Sequence, residues 1–495
     1  MKEASYWIDT VNKTYQYPSI TSNIETDILI IGAGMTGLSC AYHLTKYNKQ
    51  VTVVEADTIG YGASGRSTGK LTAQHGPIYH MLIESIGLQQ TKLHYQAQKQ
   101  ALFEIETICK KHSIPIFNSD TMLYATTLQG KQCLQDEYQA YIDLQIPCSF
   151  IDHVSHIPNC IAALKMHGQA TFHPYHFLQE LSSIITKQQG VIYENSHVSQ
   201  VLKQPDQTYA VTCNGYTIKA NTVICATQVP IIDHGHLYVT KMQCEQEHIY
   251  AISNIKMPVC LQIDDQKYSF HTYEKTLLFV HNNHKSGIPY SSNTMPGYLD
   301  LKACTHHWSS SDYTTIDKLP FIGPIDKNNP HLLFASGYGK WGNTNGYFAG
   351  KLLCDYVMQQ HSPYHSLYSP FRKLPYLSSA YLKENIQNMT NFLKGHLYFF
   401  DEELPQPLQG KKIRKNHHTY GAYREEDGTL YIVDITCPHL GCICNFNEID
   451  KTWDCPCHGS RYSYKGDVVK GPTTSKLNTY TQSCNHIDPH IFEKR

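Results

Sequence analysis

The chain has 495 residues, about three domain-sized units at roughly 150 residues each, and 41% of it is hydrophobic against 17% charged, which excludes wholesale disorder. Lys and Arg total 41 against 42 Asp and Glu, a formal net charge of -1, which excludes nucleic-acid binding through a global basic field. No apolar run reaches the roughly 18 residues that span a bilayer, and the first residues carry neither a secretory pattern nor a twin arginine, so a cytoplasmic protein without a membrane span is expected.

The first elements alternate strand and helix. Residues 27–31 are a short apolar run of the kind a buried parallel strand needs, 35–47 read as a helix, and 50–55 as the next strand. Gly32, Gly34 and Gly37 join strand to helix, with Met35 and Thr36 between them. The first glycine permits the tight turn, the second lets backbone approach a pyrophosphate, and the third lets helix pack on strand. The helix N-terminus then offers free N–H groups and positive dipole to phosphate. Glu55 ends the second strand, where a carboxylate can accept from a ribose diol. A Gly/Ser loop follows over 59–70, and its Ser64, Arg66, Ser67, Thr68 and Lys70 offer hydroxyls and cations to a second phosphate and a flavin edge.

Later strands are expected at 222–226 and 331–335, the second followed by a helix through Tyr356. From about 356 the texture becomes loop-like, and Leu382, Ile386, Met389 and Leu393 then recur at helical spacing, which predicts an amphipathic bridging helix. Beyond it, 418–423 and 430–433 read as strands, with Glu426-Asp427-Gly428 as a hairpin turn between them. Twelve of the 17 cysteines are scattered, as buried small hydrophobes would be, and five fall between 437 and 457. In that window Cys437 and His439 form one pair, and Cys455 and His458 another. Two such loops can clamp a diiron centre, thiolates on one iron and neutral imidazoles on the other, or a zinc ion.

The glycine motif, the Gly-Ala-Ser-Gly-Arg loop and four later segments resemble the D-amino acid oxidase/glycine oxidase family of flavoenzymes. Those segments are Ser196-His197-Val198, the strand end at Ala226, and 308–323 with the Gly337, Gly339 and Thr344 loop. The resemblance implies FAD, with adenine near the Val198 backbone and the flavin pyrimidine over the last loop. The second window resembles a Rieske [2Fe–2S] domain. That implies Cys437, His439, Cys455 and His458 as ligands, a bracing Cys442–Cys457 disulfide, hydroxyls of Ser460 and Tyr462 toward the sulfurs, and Gly471-Pro472 as the covering loop; Cys444 has no assigned role.

The expected architecture is therefore an α/β Rossmann-like FAD-binding domain with an interleaved α+β substrate domain, followed by a small all-β Rieske domain. The oxidoreductase part is expected over 1–370, with FAD segments near 25–110, 165–235 and 305–365 and substrate segments near 111–164 and 236–304. A linker follows at 371–400 and the Rieske domain at 401–495. The implied function is oxidation of a C–N bond in an amine or amino acid, with electrons passing singly from flavin to cluster and on to an unknown acceptor. The alternative is an electron-transfer protein fed by NAD(P)H or by a partner. Candidates facing the flavin are Lys70, His75, Lys340 and Trp341, with His284 as a further possibility; no residue suggests covalent flavin attachment, and the sequence excludes it at neither Cys304 nor His306. The stretch 74–80 offers His but no Arg to anchor a carboxylate, which favours a polyamine or modified amine over a small free amino acid.

Overall fold

The structure is a computed structural model. It describes residues 1–11, 15–154, 157–232, 235–264, 267–288, 299, 301–374, 379–397, 403–415 and 418–482. Two compact units divide the chain. The first comprises 1–228, 247–283 and 294–373, and the second 229–246, 284–293 and 374–495.

The dinucleotide sheet of the first unit forms around the strand Ile24–Ile31, whose last four residues are buried. It pairs in parallel with Val51–Val54 on one side and Tyr216–Cys225 on the other. Leu332–Ser336 continues the parallel set beside Tyr216–Cys225. Apolar runs rather than alternation mark these strands because residues pointing to either face are buried, as in Val51–Val54 and Leu332–Ser336. The helix Met35–Thr45 is buried along nearly its whole length. It meets the helix Gly342–Val357 where a Cβ on Gly350 would lie 2.6 Å from the Cys40 nitrogen, so glycine is what lets the two helices touch. A second sheet of ten strands contains the long strands Met242–Ser253, Thr276–Lys285 and Cys304–Thr315. No described helix is long and apolar enough to cross a membrane.

In the second unit, His418–Arg424 and Leu430–Asp434 form the expected hairpin, with Gly428 at φ 89° in its turn. Beside them a four-stranded sheet runs through Asn445–Asn447, Thr452–Asp454, Arg461–Ser463 and Val468–Lys470. The expected helix forms over Ser379–Leu397, but its apolar stripe faces outward: Leu382, Ile386, Met389 and Leu393 are all exposed. Asn388 and Gly395 face inward instead, because the helix docks by close backbone approach, a Cβ on Gly395 falling 2.9 Å from Ile443. Most scattered cysteines are buried as expected; Cys133 is exposed, and Cys484 lies outside the described residues.

Candidate active site and metal centre

The glycine turn is a cradle that no side chain could share. Gly32 sits at φ +106° with its Cβ position 2.6 Å from the Ala226 carbonyl oxygen, and a Cβ on Gly37 would lie 1.8 Å from the Gly32 oxygen. At the helix N-terminus the Met35 amide donates to Ser64 Oγ at 2.9 Å. The Glu55 carboxylate accepts from the Ala33 amide at 2.8 Å and the Asp57 amide at 3.0 Å, and burial pushes its carboxyl up. Ser196 donates its amide to the Glu55 carbonyl, which brings the start of the strand Val198–Lys203 to the same edge. Thr36 and Tyr338 share a hydrogen bond of 2.7 Å, which ties the first helix to the last glycine loop, where Gly337, Gly339 and Lys340 all have positive φ.

The 59–70 loop is held by aromatic N–H groups that the sequence did not flag. Trp7 Nε1 donates to the Ser67 carbonyl at 2.6 Å, and Trp308 Nε1 to the Arg66 carbonyl at 3.0 Å. The Arg66 guanidinium lies over the Tyr61 ring at 4.5 Å. His271 meets the Thr68 carbonyl through Nδ1 at 2.5 Å, while its Nε2 is buried without a hydrogen-bond partner.

Beyond the loop, Asn343 Nδ2 donates to the Lys70 carbonyl at 2.8 Å. The Lys70 ammonium is buried, hydrogen-bonded to Ser269 Oγ and 3.4 Å from the Cys260 carbonyl, and burial pulls it down to about 8. Lys340 pairs with Glu247 at 3.3 Å and reaches Asn283 at 2.5 Å, and its backbone amide is fixed on Asp312. His75 stacks on Trp341 at 5.1 Å and meets Thr344 Oγ1 at 3.0 Å; burial holds its ring neutral. The structure thus gathers Lys70 with the Ser269 strand, His75 with Trp341, and Lys340 with Glu247. Glu247, Ser269 and His271 were missed because they sit on the strands Met242–Ser253 and Ser269–Tyr273, whose His- and Tyr-rich alternation carries no motif. His284 falls with the second unit. His306 is engaged with Asp9 at 3.0 Å, and Cys304 Sγ lies 3.2 Å from the His306 carbonyl.

In the second unit two tight turns repeat one pattern. Cys437 donates its amide to the Cys442 carbonyl and accepts from Gly441, while Cys455 donates to Ser460 and accepts from Gly459. Cys442 and Cys457 form the disulfide between the turns. Cys437 and Cys455 are buried, and the His439 and His458 rings lie 5.3 Å apart. The Tyr462 hydroxyl lies 3.2 Å from Cys437 Sγ. The buried Cys444 thiol lies within hydrogen-bond reach of Cys437 and Cys455, so Cys444, without a role in the sequence, is a third buried thiol at the pair. Arg461 anchors the hairpin by pairing with Asp450 at 2.6 Å and Asp454 at 3.0 Å. A cavity of about 220 Å³ beside His439 is lined by Pro230, Leu237, Tyr238, Leu440 and Pro472. Two thiols, two imidazoles and a hydroxyl on sulfur fit a [2Fe–2S] centre. The glycine cradle with its half-buried acid fits a dinucleotide.

These two sites define an FAD-dependent oxidoreductase that also carries a Rieske [2Fe–2S] centre. The family model "FAD dependent oxidoreductase" matches residues 27–356 and "Rieske [2Fe-2S] domain" matches 399–481, and the chain belongs to the first family with the second domain appended. YhfW of Bacillus subtilis (strain 168), named for a Rieske 2Fe-2S iron-sulfur centre, is 34% identical over 96% of this chain and 97% of its own. Gamma-glutamylputrescine oxidoreductase of Escherichia coli (strain K12) is 22% identical over 71% of this chain and 88% of its own. Glycine oxidase from Geobacillus kaustophilus shares the fold with a TM-score of 0.58 at 16% identity, over 71% of this chain and 99% of that one.

Proposed function

We propose that this protein oxidises the C–N bond of an amine or amino acid and delivers the electrons one at a time to an external acceptor. The observation that carries the reading is one chain holding both a glycine cradle with a half-buried acid and two buried cysteines beside two half-buried histidines. When bound, FAD takes two electrons from a C–H beside nitrogen, and the cluster carries one electron at a time. Cys437, His439, Cys455 and His458 hold the cluster. Gly32, Gly34, Gly37, Met35, Ser64 and Glu55 hold the dinucleotide. Lys70 brings positive charge to the site, Lys340 is balanced by Glu247, and His75 with Trp341 forms a neutral aromatic wall.

The Glu247 carboxylate is taken up by Lys340, so no free acid is assigned to the substrate here. The likeness to a gamma-glutamylputrescine oxidoreductase supports a polyamine or modified amine as the substrate class. The test is an anaerobic screen of amines, diamines and amino acids on the holoprotein, read by flavin bleaching and by electron paramagnetic resonance of the reduced cluster. Bleaching by an amine, followed by the cluster signal, is expected. Bleaching by NAD(P)H alone overturns the amine reading. Rapid reoxidation by O₂ that Cys455→Ser leaves unchanged overturns the electron route.

A further inference from the structure

The second unit includes a piece of chain that the cluster motif does not supply. Residues 284–288 lie inside the span matched by the oxidoreductase model, yet they group with the second unit. Gly287 has φ +73°, and a Cβ there would lie 2.5 Å from the Pro456 nitrogen and 2.6 Å from the Cys455 carbonyl carbon. Bare backbone therefore rests on the cluster turn. Its carbonyl accepts from the Asn445 side chain, and the Ser286 amide donates to the Cys244 carbonyl at 3.1 Å.

This seat fixes its neighbour. The Lys285 ammonium donates to Asn388 Oδ1 at 2.6 Å, and the carbonyl of the same buried Asn388 lies 3.7 Å from Cys457 Sγ. A surface lysine holds a hydrated ammonium in water at the end of a flexible stem. This one is held at its base by the Gly287 seat and at its tip by the helix that touches the disulfide.

We propose that Lys285, clamped by Asn388 and by the seat of Gly287 on Cys455-Pro456, sets the reduction potential of the [2Fe–2S] centre. One added electron brings one negative charge to the centre, and a fixed cation favours that state in a partly dry environment. The inference rests on the cluster being seated between these turns and not on the amine substrate.

The experiment is a dithionite titration of the full-length holoprotein, monitored by electron paramagnetic resonance, in K285Q, K285R and N388A. K285Q is expected to lower the equilibrium constant for cluster reduction about tenfold, about 59 mV for one electron. K285R is expected to titrate as wild type, and N388A to shift in the K285Q direction by less. An unchanged or raised potential in K285Q, or equal shifts in K285Q and K285R, overturns the proposal. Loss of the cluster in both lysine variants would show a packing role and also overturn it. A wild type with no Rieske-type signal would instead sink the cluster seat itself.

Discussion

The two cofactor sites are built in opposite ways. The dinucleotide site is made of backbone: Gly32 and Gly37 occupy points where a Cβ would collide with main-chain oxygen, and the first helix offers its N-terminus. Its side chains come from positions as distant as Glu55 and Tyr338. The cluster site is made of side chains from two short turns that a disulfide joins. A backbone site tolerates changes of side chain but not of volume. A ligand site tolerates neither loss nor exchange of its few donors.

The contrast breaks most visibly in a crossed pair of variants. Gly37→Val places atoms 1.8 Å from the Gly32 oxygen, so it should abolish FAD binding and cost about 3 kcal/mol or more of local stability. Iron and sulfide content should remain. Cys455→Ser should do the reverse, leaving a yellow protein without the cluster signal. Cofactor analysis of both purified variants checks this; loss of both groups in either one would show that the sites are not built independently.

A smaller effect tests the joint between the turns. The Cys442–Cys457 bridge closes a loop of sequence separation 15, for which chain entropy gives about 3 kcal/mol. The double variant Cys442→Ala/Cys457→Ala should therefore bleach its cluster at lower denaturant concentration than wild type, while the flavin transition stays where it was. Visible absorbance followed through a urea titration separates the two transitions.

The same contrast explains what the sequence made legible. A backbone cradle needs glycines at fixed spacing, so Gly32, Gly34, Gly37 and Glu55 stood out. A ligand site needs Cys and His at fixed spacing, so Cys437 to His458 stood out too. The substrate side has no such grammar. Glu247 and His271 lie on strands whose inward residues are set by sheet register, and Trp7 reaches Ser67 across 60 positions of chain. The bridging helix was legible as a helix but not in its orientation, because it docks through Asn388 and Gly395 rather than through its apolar stripe. Cys444 was visible only as an extra cysteine, since its meaning is its nearness to Cys437.

The finest test lies where the two strategies meet, at Lys70, a charged side chain buried beside a backbone site. Burial lowers its ammonium from the ordinary 10.5 to about 8, with Ser269 and the Cys260 carbonyl as its hydrogen-bond partners. Its positive charge is thus present at pH 7 and lost as pH rises through about 8. If that charge assists electron acceptance, the anaerobic rate of flavin bleaching by substrate should fall about tenfold between pH 7 and 9. Lys70→Met should be slower at pH 7 and flat over the same range. The stability effect has its own sign. Because the folded value lies below the unfolded one, the cost of holding the charge is full below about pH 8 and fades toward 10.5. Lys70→Met should therefore gain most over wild type near neutral pH and least above pH 10. A rate profile that keeps its inflection in Lys70→Met would assign the titration to another group and overturn this role for Lys70.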